Sequence, residues 1–427
     1  MREKLEKPVF AAAVIFLAAY GVGRGLFGLR ATFSVFSTVI VVAATDAVIS
    51  SMAFSSVLLA SAGLFGYKLF RDDETETGKV RRKITAVVPV YEDAELMHIS
   101  GESLLESDAT DRVLFSCEEG DMETLERAEQ LAEKHERIDF TVNGSSPGSK
   151  AGAVNHAVKE VENDFFGVFD VDEEVNPDFV SRAAELLEER DVVQGRAMMR
   201  PDGFLESVVF LFEHYFNYFG FQLPQLLTGY RWAGSRTTVM RKDAFEEAGG
   251  YSPEVLTEDY EFSFRAYING LDVVETYVFP STINAPHSPG MWWKQRKRWM
   301  RGYFQVFFRL SKSLRRRRGR REVLAFLISL GTLAGVFLLT AIAAKFALLF
   351  LLDAEIFFFL PLLTVALLSG LFGLRDSMRY NLSPNWFALL FTPFVMPAYG
   401  AVAVKAFAEA VSGREQVWES SEKQIPV

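Results

Sequence analysis

The chain has 427 residues, of which 49% are hydrophobic and 39 are Phe, and it carries a formal charge of −10. That acidic balance argues against a nucleic-acid partner, and the apolar content is too high for an ordinary soluble protein. A single cysteine, Cys117, excludes an intrachain disulfide and fits a reducing compartment.

The apolar residues crowd residues 8–70 and 323–411, with a polar, acidic insert between them. Residues 1–70 predict two transmembrane helices: a run from Pro8 to about Leu29 and a second from Val35 to Phe70. Each exceeds the ~20 residues that cross a bilayer. The first also has the charged start and apolar middle of a signal peptide, but a second span follows it directly. Arg24, Arg30 and Asp46 interrupt these runs, as snorkelling residues or helix contacts do.

Lys68, Arg71, Lys79, Arg81, Arg82 and Lys83 follow the second span, and Lys312, Arg315 to Arg318, Arg320 and Arg321 precede the third. Basic flanks mark the cytoplasmic side, so the insert at 71–310 is expected in the cytoplasm of a multi-pass cell-membrane protein. Anionic headgroups suit the arginine run as well, at about 1 kcal/mol per basic residue. Residues 311–411 read as a basic linker and about three spans, near 323–344, 346–373 and 386–407, before a tail at 412–427. Pro393 and Pro397 leave open a re-entrant last segment.

Inside the insert, Lys83–Val90, Asp111–Phe115, Asp139–Val142 and Phe165–Phe169 read as strands. Ala94–Glu106, Met122–Glu136 and Gly152–Val161 read as helices. Such alternation predicts an α/β fold with a mainly parallel, nucleotide-binding sheet, whose ligands sit at the carboxyl ends of strands. Phe204 to Leu227, rich in Phe and Tyr, reads as a helix at the bilayer interface.

Asp170-Val171-Asp172 closes the last of these strands. Alternation puts both carboxylates on one face, and Mg2+ or Mn2+ is held by one or two carboxylates with phosphate oxygens completing the shell. Alone, the pattern is common at strand ends. Gly148-Ser149-Lys150 opening a helix makes an anion site, although most loop lysines are merely solvated. Thr257-Glu258-Asp259 reads as a helix cap with first-turn acids. Gln295-Arg296-Lys297-Arg298-Trp299 reads as an interfacial helix, given Trp292, Trp293, Tyr303 and Phe304 around it. His287 reads as an ordinary loop histidine.

Taken in order, Val88-Pro89-Val90-Tyr91-Glu92-Asp93, Gly148 to Ala157, Asp170-Val171-Asp172, Thr257-Glu258-Asp259 and Gln295 to Trp299 resemble the motifs of membrane-embedded family 2 glycosyltransferases such as cellulose, chitin and hyaluronan synthases. The resemblance implies a cytoplasmic GT-A domain, Rossmann-like and binding a nucleotide sugar, between N- and C-terminal transmembrane helices. By similarity, Asp170 and Asp172 would hold Mg2+ or Mn2+, with Asp170 also near the ribose. Lys150 would meet the nucleotide or its phosphates, and Pro89, Tyr91, Glu92 and Asp93 would line the base and ribose pocket. Asp259, with Glu258 beside it, would be the general base. Arg298 would take the leaving diphosphate, its planar fork matching phosphate oxygens, while Gln295 and Trp299 would face the acceptor, the indole as a stacking platform. Val192-Val193-Gln194-Gly195-Arg196 and Gly234 to Arg241 resemble the family's supporting strands.

Two departures touch the nucleotide. Where the family carries an aspartate pair, this chain has Ser116-Cys117-Glu118-Glu119-Gly120, so Glu118 would have to reach the base. Glu92-Asp93 stands where Asn-Glu is usual. The implied activity is inverting, metal-dependent transfer from a UDP-type sugar to a polysaccharide or glycan acceptor, with room for an accessory subunit. Transfer of one sugar to a lipid or lipid-linked acceptor is the alternative. A transport or scaffold protein that binds a nucleotide sugar without turnover is the other.

Overall fold

The computed structural model describes residues 36–72, 82–144, 148–316, 319–352 and 356–412. The expected first span, with Arg24 and Arg30, lies outside the described residues, as do Lys79, Arg81, Arg317 and Arg318. The chain divides into two units: Met1–Tyr67, Pro201–Gly229 and Gly331–Val404 form one, and Lys68–Arg200, Tyr230–Leu330 and Lys405–Val427 the other.

The second unit is built on a seven-stranded sheet. Its strands are β1 (Ile84–Val90), β2 (Thr110–Glu118), β3 (Ile138–Asn143), β4 (Phe165–Val168), β5 (Val192–Gln194), β7 (Thr238–Arg241) and β8 (Val273–Glu275), in the order β3-β2-β1-β4-β7-β5-β8. The predicted parallel character holds for β3-β2-β1-β4 and for β5-β8, whereas β7 runs antiparallel to both its neighbours. β6 (Ala197–Met199) and β9 (Ser281–Ile283) form a separate parallel pair.

β1 is apolar except for the buried Thr85 because it is covered on both faces, as inner parallel strands are. One layer of helices, Met97–Leu105, Met122–Lys134 and Pro177–Leu186, packs Met97, Leu104, Ala128, Leu131, Phe179 and Ala183 with Val88 and Phe115. The opposite layer, Lys150–Val158 and Glu258–Asn269, packs Val154, Ala157, Phe262 and Ala266 with Val87, Leu114 and Phe166. Pro89 is tolerated in this inner strand for a topological reason. Ile84 N donates towards β2, so by alternation residue 89 faces β4, whose ladder with β1 has ended at Val87. The ladder ends there, at the carboxyl ends of β1 and β4, the edge on which such sheets bind ligands.

In the other unit, Phe65 stacks on Tyr218 with ring centroids 5.1 Å apart and contacts Phe372 at 5.3 Å. Tyr215 donates to the fully buried Asp376 at 2.8 Å. The Phe204–Leu227 prediction holds as helix, Phe204–Val209 and Tyr215–Thr228 joined by a π-helical turn at Phe210–His214. It packs against the helix Ile356–Tyr380 of the same unit, where Gly373 admits Leu211.

The C-terminal spans differ in their boundaries from the prediction. Arg320–Leu352 is one helix, continuing through Lys345 because Ala-Ala-Lys-Phe-Ala contains no helix breaker. Ile356–Tyr380 follows, then a 3-10 turn at Trp386–Phe391 and the helix Thr392–Val411, which Pro393 enters in its first turn, where proline is tolerated. Among the described residues three helical segments are long and apolar enough to cross a membrane: Met52–Arg71, Leu360–Tyr380 and Phe394–Val411.

Candidate active site

The ends of β1, β2 and β4 carry two groups of charged side chains. In the first, Glu92 adopts a left-handed backbone (φ 54°) and its N–H donates to Asp121 at 2.6 Å. Asp121 also caps the helix Met122–Lys134, accepting from Thr124 N at 3.2 Å and Thr124 Oγ1 at 2.6 Å. The Tyr91 hydroxyl is pushed above its ordinary pKa by its hydrogen bond to Glu92 and by that residue's charge. Glu118, buried, accepts from Asn143 Nδ2 at 2.9 Å and Gly148 N at 3.1 Å, so it fixes the loop that leads to Lys150. Asp93 begins the 3-10 turn Ala94–Leu96. Burial pushes the Cys117 thiol up to about 12, which leaves it a core residue. Asp121 was passed over in the sequence, although Asp-x-x-Thr before a helix is a capping signal.

The second group surrounds Asp170. The helix predicted at Gly152–Val161 starts earlier, at Lys150, because Ser149 Oγ caps Gly152 N at 2.8 Å. Lys150 Nζ is thereby placed in an ion pair with Asp170 Oδ1. Arg236 Nη1 stands 3.9 Å from Asp170 Oδ2. Burial would lower the Arg236 pKa, but Asp170, Asp259, Glu173 and Asp172 outweigh it and hold the group above its ordinary value. Asp172, buried, accepts from Asn284 N at 3.2 Å, just past β9. Burial pushes the neighbouring Glu173 carboxyl up to about 7, against the Thr237 hydroxyl that bonds it.

Asp259 lies in the first turn of Glu258–Asn269, its Oδ1 accepting from Tyr260 N at 2.8 Å. Burial first, and then the charge of Glu258, raise its carboxyl to about 6, while Lys150 and Arg236 act in the opposite direction. Glu258 is held by Ser235 Oγ at 2.9 Å. The sequence placed Thr257 as the cap, and it does occupy that position. Its Oγ1 is buried with no hydrogen-bond partner among the described residues, because it lies against Gly302 instead.

The helix Pro289–Arg316 docks on this turn through backbone. Arg298 Nη1 donates to Leu256 O at 3.0 Å, and Leu256 N donates to Gln305 Oε1 at 2.9 Å. Arg298 therefore grips the turn before Asp259. Arg296 is fully buried, its guanidinium 4.2 Å from the Trp299 ring and bonded to Gln295 Oε1. Lys297 and Arg301 each pair with Glu409 at 3.6 Å. Tyr303 packs on Tyr260 at 4.3 Å, and burial raises its hydroxyl pKa.

Lys150, Asp170, Asp172 and Asp259 thus share one electrostatic field, and Arg236, which has no motif of its own, is at its centre. No group of three His, Cys, Asp or Glu side chains that could hold a metal occurs among the described residues. The donor set still fits a hard cation that takes phosphate oxygens, since two carboxylates suffice for Mg2+.

The glycosyl transferase family group 2 model matches residues 166–400, more than half of the chain. The beta-monoglucosyldiacylglycerol synthase of Trichormus variabilis is 23% identical over 183 residues, 42% of this chain and 39% of that protein. The probable glucomannan 4-beta-mannosyltransferase 7 of Oryza sativa subsp. japonica is 24% identical over 193 residues, 43% of this chain and 33% of that protein. The matched regions span less than half the length of these curated relatives. The mannosyltransferase PcManGT of Pyrobaculum calidifontis, solved in complex with GDP-Man and Mn2+, superposes with a TM-score of 0.55 at 17% identity, covering 86% of this chain and 99% of that chain. The fold is therefore the Rossmann-like GT-A fold, and the chain belongs to glycosyl transferase family group 2.

Proposed function

We propose that the chain transfers a hexose, with inversion, from a UDP-type nucleotide sugar to a glycan acceptor at the membrane. What supports this reading is the placing of Lys150 and Arg236 on either oxygen of Asp170, two cations whose charge also acts on the Asp259 carboxyl that burial and Glu258 raise. A base near 6 is ionised at neutral pH yet still takes a proton as an acceptor hydroxyl attacks. Lys150 meets the donor phosphates from a helix N-terminus. Asp170 and Asp172 would hold Mg2+ or Mn2+, which neutralises the leaving diphosphate when bound. Tyr91, Glu92 and Asp93 line the nucleoside side, with Glu118 and Asp121 shaping it from behind. Arg298 takes the leaving diphosphate with guanidinium N–H groups other than the one on Nη1 that holds Leu256 O in the turn before the base. Gln295 and Trp299 face the acceptor.

A second reading is transfer of one sugar to a lipid or lipid-linked acceptor. It is favoured by Arg296, whose guanidinium covers a face of Trp299 that a sugar ring would need. Incubation of detergent-solubilised protein with labelled nucleotide sugars, with Mg2+ or Mn2+ and with chelator, separates the two. A ladder or high-mass product supports the glycan reading, and a single-sugar, organic-extractable product supports the lipid one. Full turnover in chelator would sink the metal dependence, and no nucleotide release from any sugar would sink the enzyme.

A further inference from the structure

Thr237 sits just before β7 with a left-handed backbone, φ 45°. That region is costly for a β-branched residue and persists only where the surroundings impose it. Here they do. Glu173, fully buried, accepts from Thr237 Oγ1 at 2.5 Å and from Thr237 N at 3.3 Å, while Gly195 N donates to Thr237 O at 2.8 Å. A Cβ at residue 195 would lie 2.7 Å from Thr237 Cγ2 and 2.4 Å from the Phe179 ring, so the niche around Thr237 requires glycine there. The same Glu173 accepts from Asp170 N at 3.1 Å. One buried carboxylate therefore ties the Asp170 turn to the Thr237 turn. Arg236, between that latch and Ser235, directs its guanidinium at Asp170 Oδ2 while remaining 35% exposed.

We propose that Arg236 contacts the donor diphosphate and that Glu173 and Thr237 are positioning residues that hold it there. The proposal rests on the nucleotide-sugar reading above and adds to it three residues to which that reading gives no role. A diphosphate brought against Asp170 meets Lys150 beside one carboxylate oxygen and Arg236 beside the other. A guanidinium matches two phosphate oxygens at once, provided its approach is fixed. The strained Thr237 backbone fixes it.

The test is titration of the full chain in detergent with UDP, GDP and the corresponding nucleosides, with and without Mg2+. Arg236→Met should weaken diphosphate binding about tenfold, the loss of one charged hydrogen-bonding partner, and leave nucleoside binding unchanged. Glu173→Ala should show the same selective loss, and the double variant should bind no worse than either single one. Glu173→Gln keeps an acceptor for both N–H groups and an amide that can donate to Thr237 Oγ1, so it should stay within about threefold of wild type. If Glu173→Ala does not fold, Thr237→Val, which deletes only the hydroxyl donor, enters the same cycle with Arg236→Met. Equal diphosphate binding by wild type and Arg236→Met, or full additivity in the cycle, overturns the proposal alone. Wild type that binds neither diphosphate overturns the nucleotide-sugar reading with it.

Discussion

Gly302→Ala tests the docking of the helix Pro289–Arg316 on the turn before Asp259. A Cβ at residue 302 would lie 2.3 Å from Thr257 Oγ1, 2.5 Å from its Cγ2 and 2.8 Å from its Cβ. Restoring normal contact requires a separation of about 1 Å. Two effects oppose each other in stability: alanine gains about 1 kcal/mol over glycine inside a helix, and overpacking costs roughly 1–3 kcal/mol. The net change is a loss of about 0–2 kcal/mol, so the protein should still fold. The rate should suffer more. Leu256 is gripped at both N and O by this helix, and Asp259 follows three residues later, so the displacement passes to the base. A reacting group misplaced by about 1 Å can lose about 100-fold in rate. Thermal unfolding in detergent and nucleotide release from the donor, measured on the same preparation, separate the two effects. Thr257→Ala removes the two closest atoms and should restore part of the rate in the double variant. A Gly302→Ala protein that melts higher and turns over like wild type would show that the docking does not constrain Asp259.

If Asp259 is the base, as proposed, it must be ionised to act, and burial pushes its carboxyl up to about 6. The kcat/KM profile should therefore be flat above that value and fall about tenfold per pH unit below it. Glu258→Gln removes the second-largest cause of the shift and should move the acid limb to lower pH; an unmoved limb assigns it to another group. Asp259→Asn should abolish transfer, by about 100-fold or more, while nucleoside diphosphate binding persists, and retained turnover would remove Asp259 as base. Trp299→Ala should raise the acceptor KM more than it weakens donor binding, and equal losses in both would refute a stacking role.

The sheet was legible because its inner strands are covered on both faces and appear as mainly apolar runs, as Ile84–Val90 does with Thr85 its one polar residue. The charged ends of β1 and β4 were legible as positions, but the directions of Asp170 and Asp172 were not: β4 ends at Val168 and the chain turns from Asp170 to Glu173, so strand alternation does not set them. Arg236 was not legible either. Its position depends on the φ of Thr237 and on Glu173, 64 residues away in sequence, and no local pattern encodes such a pair. The helix begins at Lys150, two residues before the expected Gly152, because Ser149 Oγ, three residues before that glycine, accepts from its N–H. Motif order gave Arg298 its identity but not its bond from Nη1 to Leu256 O, which only the fold shows.

On the proposed assignments, acceptor-side and base-side residues are set by one element. Along Pro289–Arg316, Trp299 lies under Arg296, Arg298 and Gln305 hold Leu256, and Tyr303 packs on Tyr260, the residue after the base. Ion pairs from Lys297 and Arg301 to Glu409 tether the same helix from outside the motif. A change that shifts the helix as a body must therefore move the acceptor platform and the base together. A change confined to one side chain need not, and only that contrast makes a split between acceptor KM and kcat informative here. Glu409→Gln loosens the body while leaving every residue of the Gln295 to Trp299 stretch in place, so its losses should fall on both parameters, whereas those of Trp299→Ala should fall on one.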